Sequence, residues 1–295
     1  MTASTDYRHT EQVLRPSEQE LLDAWRELVE ANAEQMARLR ETEPPVDYWA
    51  DGYAGAMVNL DGSTGTDRGL AALARPADRW LDIGAGYGRT TLPLARHVSR
   101  ITAVDPSPGL TMTIREHIAR LNIDNVDVLE ADAWPPGESP GVHDVCVAIN
   151  TVNFVAKIGP FLDAMETHAL RLCVIGATEL GTAWQPVEPI FDELWGERFI
   201  RLPALRELLA LLGAHRRRFD IETHDDMPAA MRGPQELDAA HARVRGHYLV
   251  RAGSSRDARL RELLQQHFSV GNGLVQLPLP PGNFAALISW ESPGA

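Results

Sequence analysis

The segment that most restricts the fold is residues 80–95, Trp-Leu-Asp-Ile-Gly-Ala-Gly-Tyr-Gly-Arg-Thr-Thr-Leu-Pro-Leu-Ala. An apolar, strand-like run passes through Gly84, Gly86 and Gly88 into a pattern that suits a helix. A strand, a tight glycine turn and a helix start let bare backbone amides approach a ligand, which a side chain at those positions would prevent. A dinucleotide fingerprint would place its third glycine or alanine at position 89, where Arg89 stands, and would have no use for Asp82. The spacing argues against NAD.

Around this segment the chain alternates short apolar runs with stretches that suit helices, the signature of a parallel sheet with crossovers. Strands are expected at 80–83, 101–105, 126–129, 144–149, 172–177, 219–223 and 284–290, with crossover helices of ordinary length between the first five. They make an α/β fold, a doubly wound, seven-stranded, mostly parallel sheet, with the last strand a late, hairpin-like addition at its edge. Residues 178–203 and 227–270 exceed that minimum and read as cap insertions over the strand ends, the second with helical patterns at 236–249 and 255–268. Before the sheet, residues 1–16 are a polar, loose arm. Residues 17–79 form a helical extension: Ser17 and Glu20 have capping-box spacing, and Leu21, Trp25, Leu28, Met36 and Leu39 recur at helical intervals up to a stop at Glu43-Pro44-Pro45. Residues 80–295 form the main domain.

The pattern Asp82-x-Gly84-x-Gly86-x-Gly88, with Ala85 inside it, resembles the first motif of the class I methyltransferases that use S-adenosylmethionine (SAM). The resemblance is specific over residues 80–177 and general elsewhere; an Asp-Tyr-Trp after an opening helix and the Leu-Pro-Leu-Ala after the loop are similar to uncharacterised bacterial methyltransferase-domain proteins. It implies that Asp105, closing the second strand and followed by Pro106 and Ser107, holds both ribose hydroxyls, as a carboxylate accepting two hydrogen bonds is suited to do. It also implies that Asp132 lies near the adenine amine, that Ala133 offers a backbone amide to the ring, and that Trp134 touches it or packs beside it. Asn150 and Thr151, at the exit of the fourth strand, fall beside the reacting methyl or cap the following helix. S-adenosylhomocysteine (SAH) is the implied product. Families that methylate nucleobase amines carry two prolines where this chain has Thr151 and Val152, so base methylation loses support.

A formal net charge of −13 repels phosphate backbones, and nucleic acid is not expected as a partner. No run approaches the ~20 apolar residues needed to span a bilayer, and residues 1–15 lack the apolar stretch of a secretory signal, so a cytoplasmic protein is expected. Cys146 and Cys173 sit in strand-like apolar runs and read as small core hydrophobes. Histidines, cysteines and acids show no metal-ligand spacing, and no metal is expected. No catalytic residue is assigned. His143 precedes its strand and points to the wrong end of the sheet, His168, His215, His241 and His267 fall on or beside helices, and His224 is the least implausible base.

The acceptor is expected to be a small molecule, methylated by in-line displacement, with a pocket drawn from Tyr48, Trp49, Phe154, Glu179, Trp184 and Trp195. The same aromatics, with Phe191, would equally make a satellite core. Two other readings stay open: a different reaction on the same cofactor, or a SAM-binding sensor or partner subunit without turnover. The opening helix can serve a homodimer as readily as it can cover the sheet.

Overall fold

The computed structural model describes residues 15–44, 46–52, 58, 60–131, 134–137, 139–179, 188–215, 217–226, 233–277 and 284–293. In chain order the elements are α1 (Glu18–Leu39), α2 (Tyr48–Gly52), α3 (Gly65–Leu73), β1 (Arg79–Ile83), α4 (Thr91–Leu94), β2 (Arg100–Asp105), α5 (Pro108–Leu121), β3 (Val126–Glu130), β4 (His143–Ile149), α6 (Ile158–His168) and β5 (Ala169–Thr178). There follow α7 (Glu188–Trp195), α8 (Leu205–Ala214), β6 (Asp220–His224), β7 (Gln235–Glu236), α9 (Leu237–Val244), α10 (Ser255–Phe268), β8 (Ser269–Gly271), β9 (Leu274–Val275) and β10 (Ala285–Glu291).

The main sheet has seven strands in the order β3-β2-β1-β4-β5-β10-β6, with all pairs parallel except those made by β10. Reversal of strand order between β1 and β4 puts a ligand-binding crevice at their carboxyl ends. Alternation along the central strands builds two cores, as the two-residue period requires. Trp80, Ile101, Val145 and Val147 face Leu70, Leu92 and Ile114 from α3, α4 and α5. Leu81, Ile83, Cys146 and Cys173 face Trp25, Phe161 and Leu208 from α1, α6 and α8. Both cysteines are buried free thiols, and burial raises the pKa of each.

The late strand corrects one expectation. β10 is not at the edge: it pairs antiparallel with β5 on one side and with β6 on the other. Its apolar run Ala285–Trp290 is buried on both faces, whereas β6, reading Asp-Ile-Glu-Thr-His, is exposed along most of its length and tolerates the outer position. The crossovers also differ from expectation. The helix after the glycine loop is only Thr91–Leu94, with Pro93 inside it, and the described residues between β3 and β4 contain no helix, Pro135, Pro136 and Pro140 removing the donors one would need.

α1 begins where expected, with Ser17 and Glu20 making both bonds of the capping box. It stops at Leu39, before the proline pair, because the chain turns at Arg40 so that Glu41 can hold Ser254, Arg256 and the Arg251 amide. The region after β5 and the region after β6 come together in a third cluster, where Ile190, Phe191 and Phe199 pack on Leu237, Tyr248, Leu260 and Leu264, with Met36 and Leu39 of α1 alongside. A three-stranded sheet, β7-β9-β8, closes this cap. Among the described residues no helix is long and apolar enough to cross a membrane.

Candidate functional site

The glycine loop leaves β1 at Ile83. Gly84, Gly86 and Gly88 have φ of 75°, 59° and 87°, a region that side chains resist. Gly84 adds a close approach: a β-carbon there would lie 2.6 Å from Thr151 Cγ2 and would also overlap the Thr151 hydroxyl. Thr151 is fixed in turn, its Oγ1 donating toward the Ile83 carbonyl at 3.3 Å and the Ile149 carbonyl at 3.2 Å, which welds the exits of β1 and β4 together. A β-carbon on Gly88 would press on Ile114 of α5, whereas one on Gly86 would project into open space. The loop therefore packs tightly at both ends and presents bare backbone in the middle.

Two acids organise it. Asp105 Oδ2 accepts from the Gly86 amide at 2.8 Å, and its Oδ1 accepts from the Ser107 amide at 2.9 Å. Each carboxylate oxygen has a second lone pair, so the group retains one acceptor site on either oxygen. Burial holds the Asp105 carboxyl above the usual range against those two amide bonds, and the charge of Asp47 adds to the rise. Asp82 lies beneath the loop, only 2% exposed, with Oδ2 accepting from Thr91 Oγ1 at 2.6 Å. Its pKa is pushed up to about 6, first by burial and also by Asp105, with the Thr91 hydroxyl and Arg89 opposing. Carboxylates gathered around the loop favour a ligand carrying positive charge.

Asp47 is the residue that reading the sequence missed. Its Oδ1 accepts from the Ala50 amide at 3.0 Å, and its Oδ2 accepts from Ser107 Oγ at 2.7 Å and the Gly109 amide at 2.9 Å. These bonds, the Ser107 hydroxyl foremost, hold its carboxyl below the usual range. An acid three residues before Ala50 at the start of a short helix is an N-cap signal and would have pointed to it. His117 is a second omission: its Nδ1 lies 3.1 Å from the Tyr87 carbonyl and ties α5 to the glycine loop.

Of the expected acceptor residues, Tyr48, Trp49 and Phe154 form a row. Ring centroids are 5.2 Å apart for the first pair and 4.7 Å for the second, both edge to face, and the Arg40 guanidinium lies 5.4 Å from the Tyr48 ring. Tyr48 is 49% and Phe154 37% exposed, which leaves apolar area at the strand ends. Glu179, at the end of β5, is paired with Arg206 of α8. Trp195 is in the cap, where its Nε1 donates to the Tyr248 carbonyl at 3.0 Å and Arg256 stacks 4.4 Å from its ring. Trp134 packs on α6, donating to the Phe161 carbonyl at 3.3 Å. Asn150 is exposed with φ of 55° and donates its amide to the Gly176 carbonyl at 2.8 Å; Pro106 is exposed between its two neighbours. Asp132, Ala133 and Trp184 lie outside the described residues.

The histidines keep the placements expected of them. His143, at the opposite end of β4, lies 2.9 Å from Thr102 Oγ1, and its pKa is lowered to about 4 by burial. His224 is on the outermost strand, packed against Gly65 and Gly69 of α3.

Residues 81–168 match the family model for a methyltransferase domain. Over that stretch the chain carries a methyltransferase domain. The match begins in β1 and ends with α6, so it holds the glycine loop, both acids and the β4 exit. Among curated proteins, a ubiquinone biosynthesis O-methyltransferase from Azorhizobium caulinodans is 34% identical over 84 residues, 28% of this chain and 33% of that protein. A 23S rRNA (uracil(1939)-C(5))-methyltransferase from Xanthomonas campestris pv. campestris is 42% identical over 59 residues, 20% of this chain and 13% of that protein. The chain thus spans a third or less of the length of these relatives. Among solved structures, a SAM-dependent methyltransferase from Geobacter sulfurreducens in complex with S-adenosyl-L-homocysteine aligns with a TM-score of 0.50 and 15% identity, covering 84% of this chain and 100% of that one. That likeness is one of fold.

Proposed function

We propose that this chain transfers the methyl group of SAM to a small-molecule acceptor, releasing SAH. When bound, SAM supplies an electrophilic sulfonium methyl; the chain's own residues bind, orient and exclude water. The observation that carries the reading is Asp105, buried at the end of β2 with one acceptor site free on each oxygen while the other site steadies the bare glycine loop. A vicinal diol suits those two sites. The carboxylates of Asp82 and Asp105 suit a ligand with ammonium and sulfonium charges, and the amides of residues 84–86 suit its amino-acid tail. Asn150 and Thr151 stand at the β4 exit beside the crevice, and Asp132 and Ala133 are proposed at the adenine end.

Transfer of a methyl between aligned centres needs no dedicated base, since positioning and exclusion of water can supply much of the acceleration. Tyr48, Trp49 and Phe154 form the apolar face on which the acceptor rests, a surface suited to a planar or apolar molecule. A formal charge of −13 disfavours a nucleic-acid acceptor.

Titration calorimetry with SAM and SAH tests the cofactor half. Asp105→Ala is expected to weaken binding by roughly a hundredfold, the worth of two hydrogen bonds to a charged group. No heat with wild-type protein, or equal affinity in the variant, refutes the assignment. A screen of cell extract with methyl-labelled SAM, read by mass spectrometry, tests the acceptor half: label in RNA or protein rather than in a metabolite overturns it.

A further inference from the structure

In the sheet order, β1 lies between β2 and β4. A segment fixed both to the element after β2 and to the element after β4 bridges the two flanks of the β1 exit. The segment containing α2 is fixed in both places. On one side Asp47 Oδ2 binds Ser107 Oγ and the Gly109 amide at the start of α5. The contact there is close: Gly109 has no side chain, and a β-carbon on it would overlap that of Ala50. On the other side the Trp49 ring lies edge to face with Phe154, just beyond β4, at 4.7 Å. Two strand spacings come to about 10 Å. A five-residue helix is about 7.5 Å long, and an indole extends it across the gap.

We propose that residues 47–52 are a strap over the cofactor crevice, latched by Asp47, and that opening of this latch sets how fast the cofactor arrives and leaves. The proposal rests on the reading of the crevice as a SAM site. Asp47 is a positioning residue here: it acts through the strap and need not touch the ligand. The latch is one carboxylate holding one hydroxyl and one amide across to α5, so its release is a local event. α5 keeps its own cap when the strap lifts, because Ser107 Oγ still accepts from the Leu110 amide at 3.0 Å. The Trp49–Phe154 contact is the other fastening, and parting those rings uncovers the apolar face proposed for the acceptor. Cofactor exchange and acceptor access would then share one motion, as in enzymes whose lids gate both.

Two variants test the latch by different means. Asp47→Ala removes its hydrogen bonds, and Gly109→Ala pushes Ala50 away from α5 while improving the helix propensity of α5. Labelled SAH is bound to each protein and chased with excess unlabelled SAH. Both variants are expected to release label at least roughly tenfold faster than wild type, with the dissociation constant moving less than about threefold because association quickens as well. Amide hydrogen exchange in residues 47–52 is expected to slow in wild type when SAH saturates it. Where Asp47→Ala fails to fold by circular dichroism, Gly109→Ala decides alone. Wild-type release rates in the folded variants overturn the strap and leave the cofactor reading standing, since binding itself is measured. A wild-type protein that retains no SAH overturns both.

Discussion

Replacing Gly84 by alanine separates two reasons for a glycine at the β1 exit. At φ of 75° an L side chain costs about 1–2 kcal/mol. The new methyl would also fall 2.6 Å from Thr151 Cγ2 and 3.1 Å from Thr151 Cβ. Thr151 cannot rotate away without abandoning the Ile83 and Ile149 carbonyls, so this overlap adds a cost in the range of overpacking, about 1–3 kcal/mol. The single substitution is expected to lower unfolding free energy by roughly 3 kcal/mol. Adding Thr151→Ala removes the two outer atoms but leaves the Cβ contact and the positive φ, so it should restore only part of the loss, about 1–2 kcal/mol of favourable coupling. Urea unfolding of the wild type, both single variants and the double variant gives that coupling, provided the m-values agree. If the losses add to within about 0.3 kcal/mol, Thr151 does not press on Gly84, and the steric reason for a glycine at the β1 exit is wrong.

Asp82 gives a pH signature. Its folded pKa is about 6 against an ordinary 3.8, so the folded state holds a proton that the unfolded chain releases. Stability should therefore fall as pH rises from about 4 to about 6 and the buried carboxyl ionises, and Asp82→Asn should flatten that slope in unfolding midpoints measured across the range. A slope that survives the substitution assigns it to another group. In the cap, Trp195→Ala should cost about 2 kcal/mol, short of the 3–5 typical of a fully buried aromatic. Calorimetry should find SAH affinity unchanged in this variant; a tenfold loss would place the indole at the crevice.

Much of this molecule is legible in its residues, and for a common reason. β1, β2, β4 and β5 are apolar runs because both their faces are covered, and such runs stand out in any sequence. The glycines are legible because positive φ selects them, and Asp82 and Asp105 because acids inside or closing apolar strands stand out from their neighbours. The place of β10 is not, since an antiparallel strand buried on both sides is as apolar at the edge as one place further in; only the polarity of β6 hinted at the order. The small sheet of the cap carried a signal that went unread: Asn272-Gly273 between short strands, with φ of 53° and 75°, is a hairpin turn pair. Asp47 was obscured because its partners, Ser107 and Gly109, are 60 and 62 residues away, and no local period encodes such a meeting. The row of Tyr48, Trp49 and Phe154 and the separate cap cluster around Trp195 divide aromatics that composition alone lumps together.

His224, the last residue of β6, pairs with Ala285, the first of β10. Everything between them therefore departs from and returns to one rung of the ladder, like a long balloon tied at its neck. Such an excursion can be exchanged for another of different size or shape without moving a single rung of the scaffold beneath. Variation in length along this stretch therefore leaves the register of the seven-stranded sheet untouched.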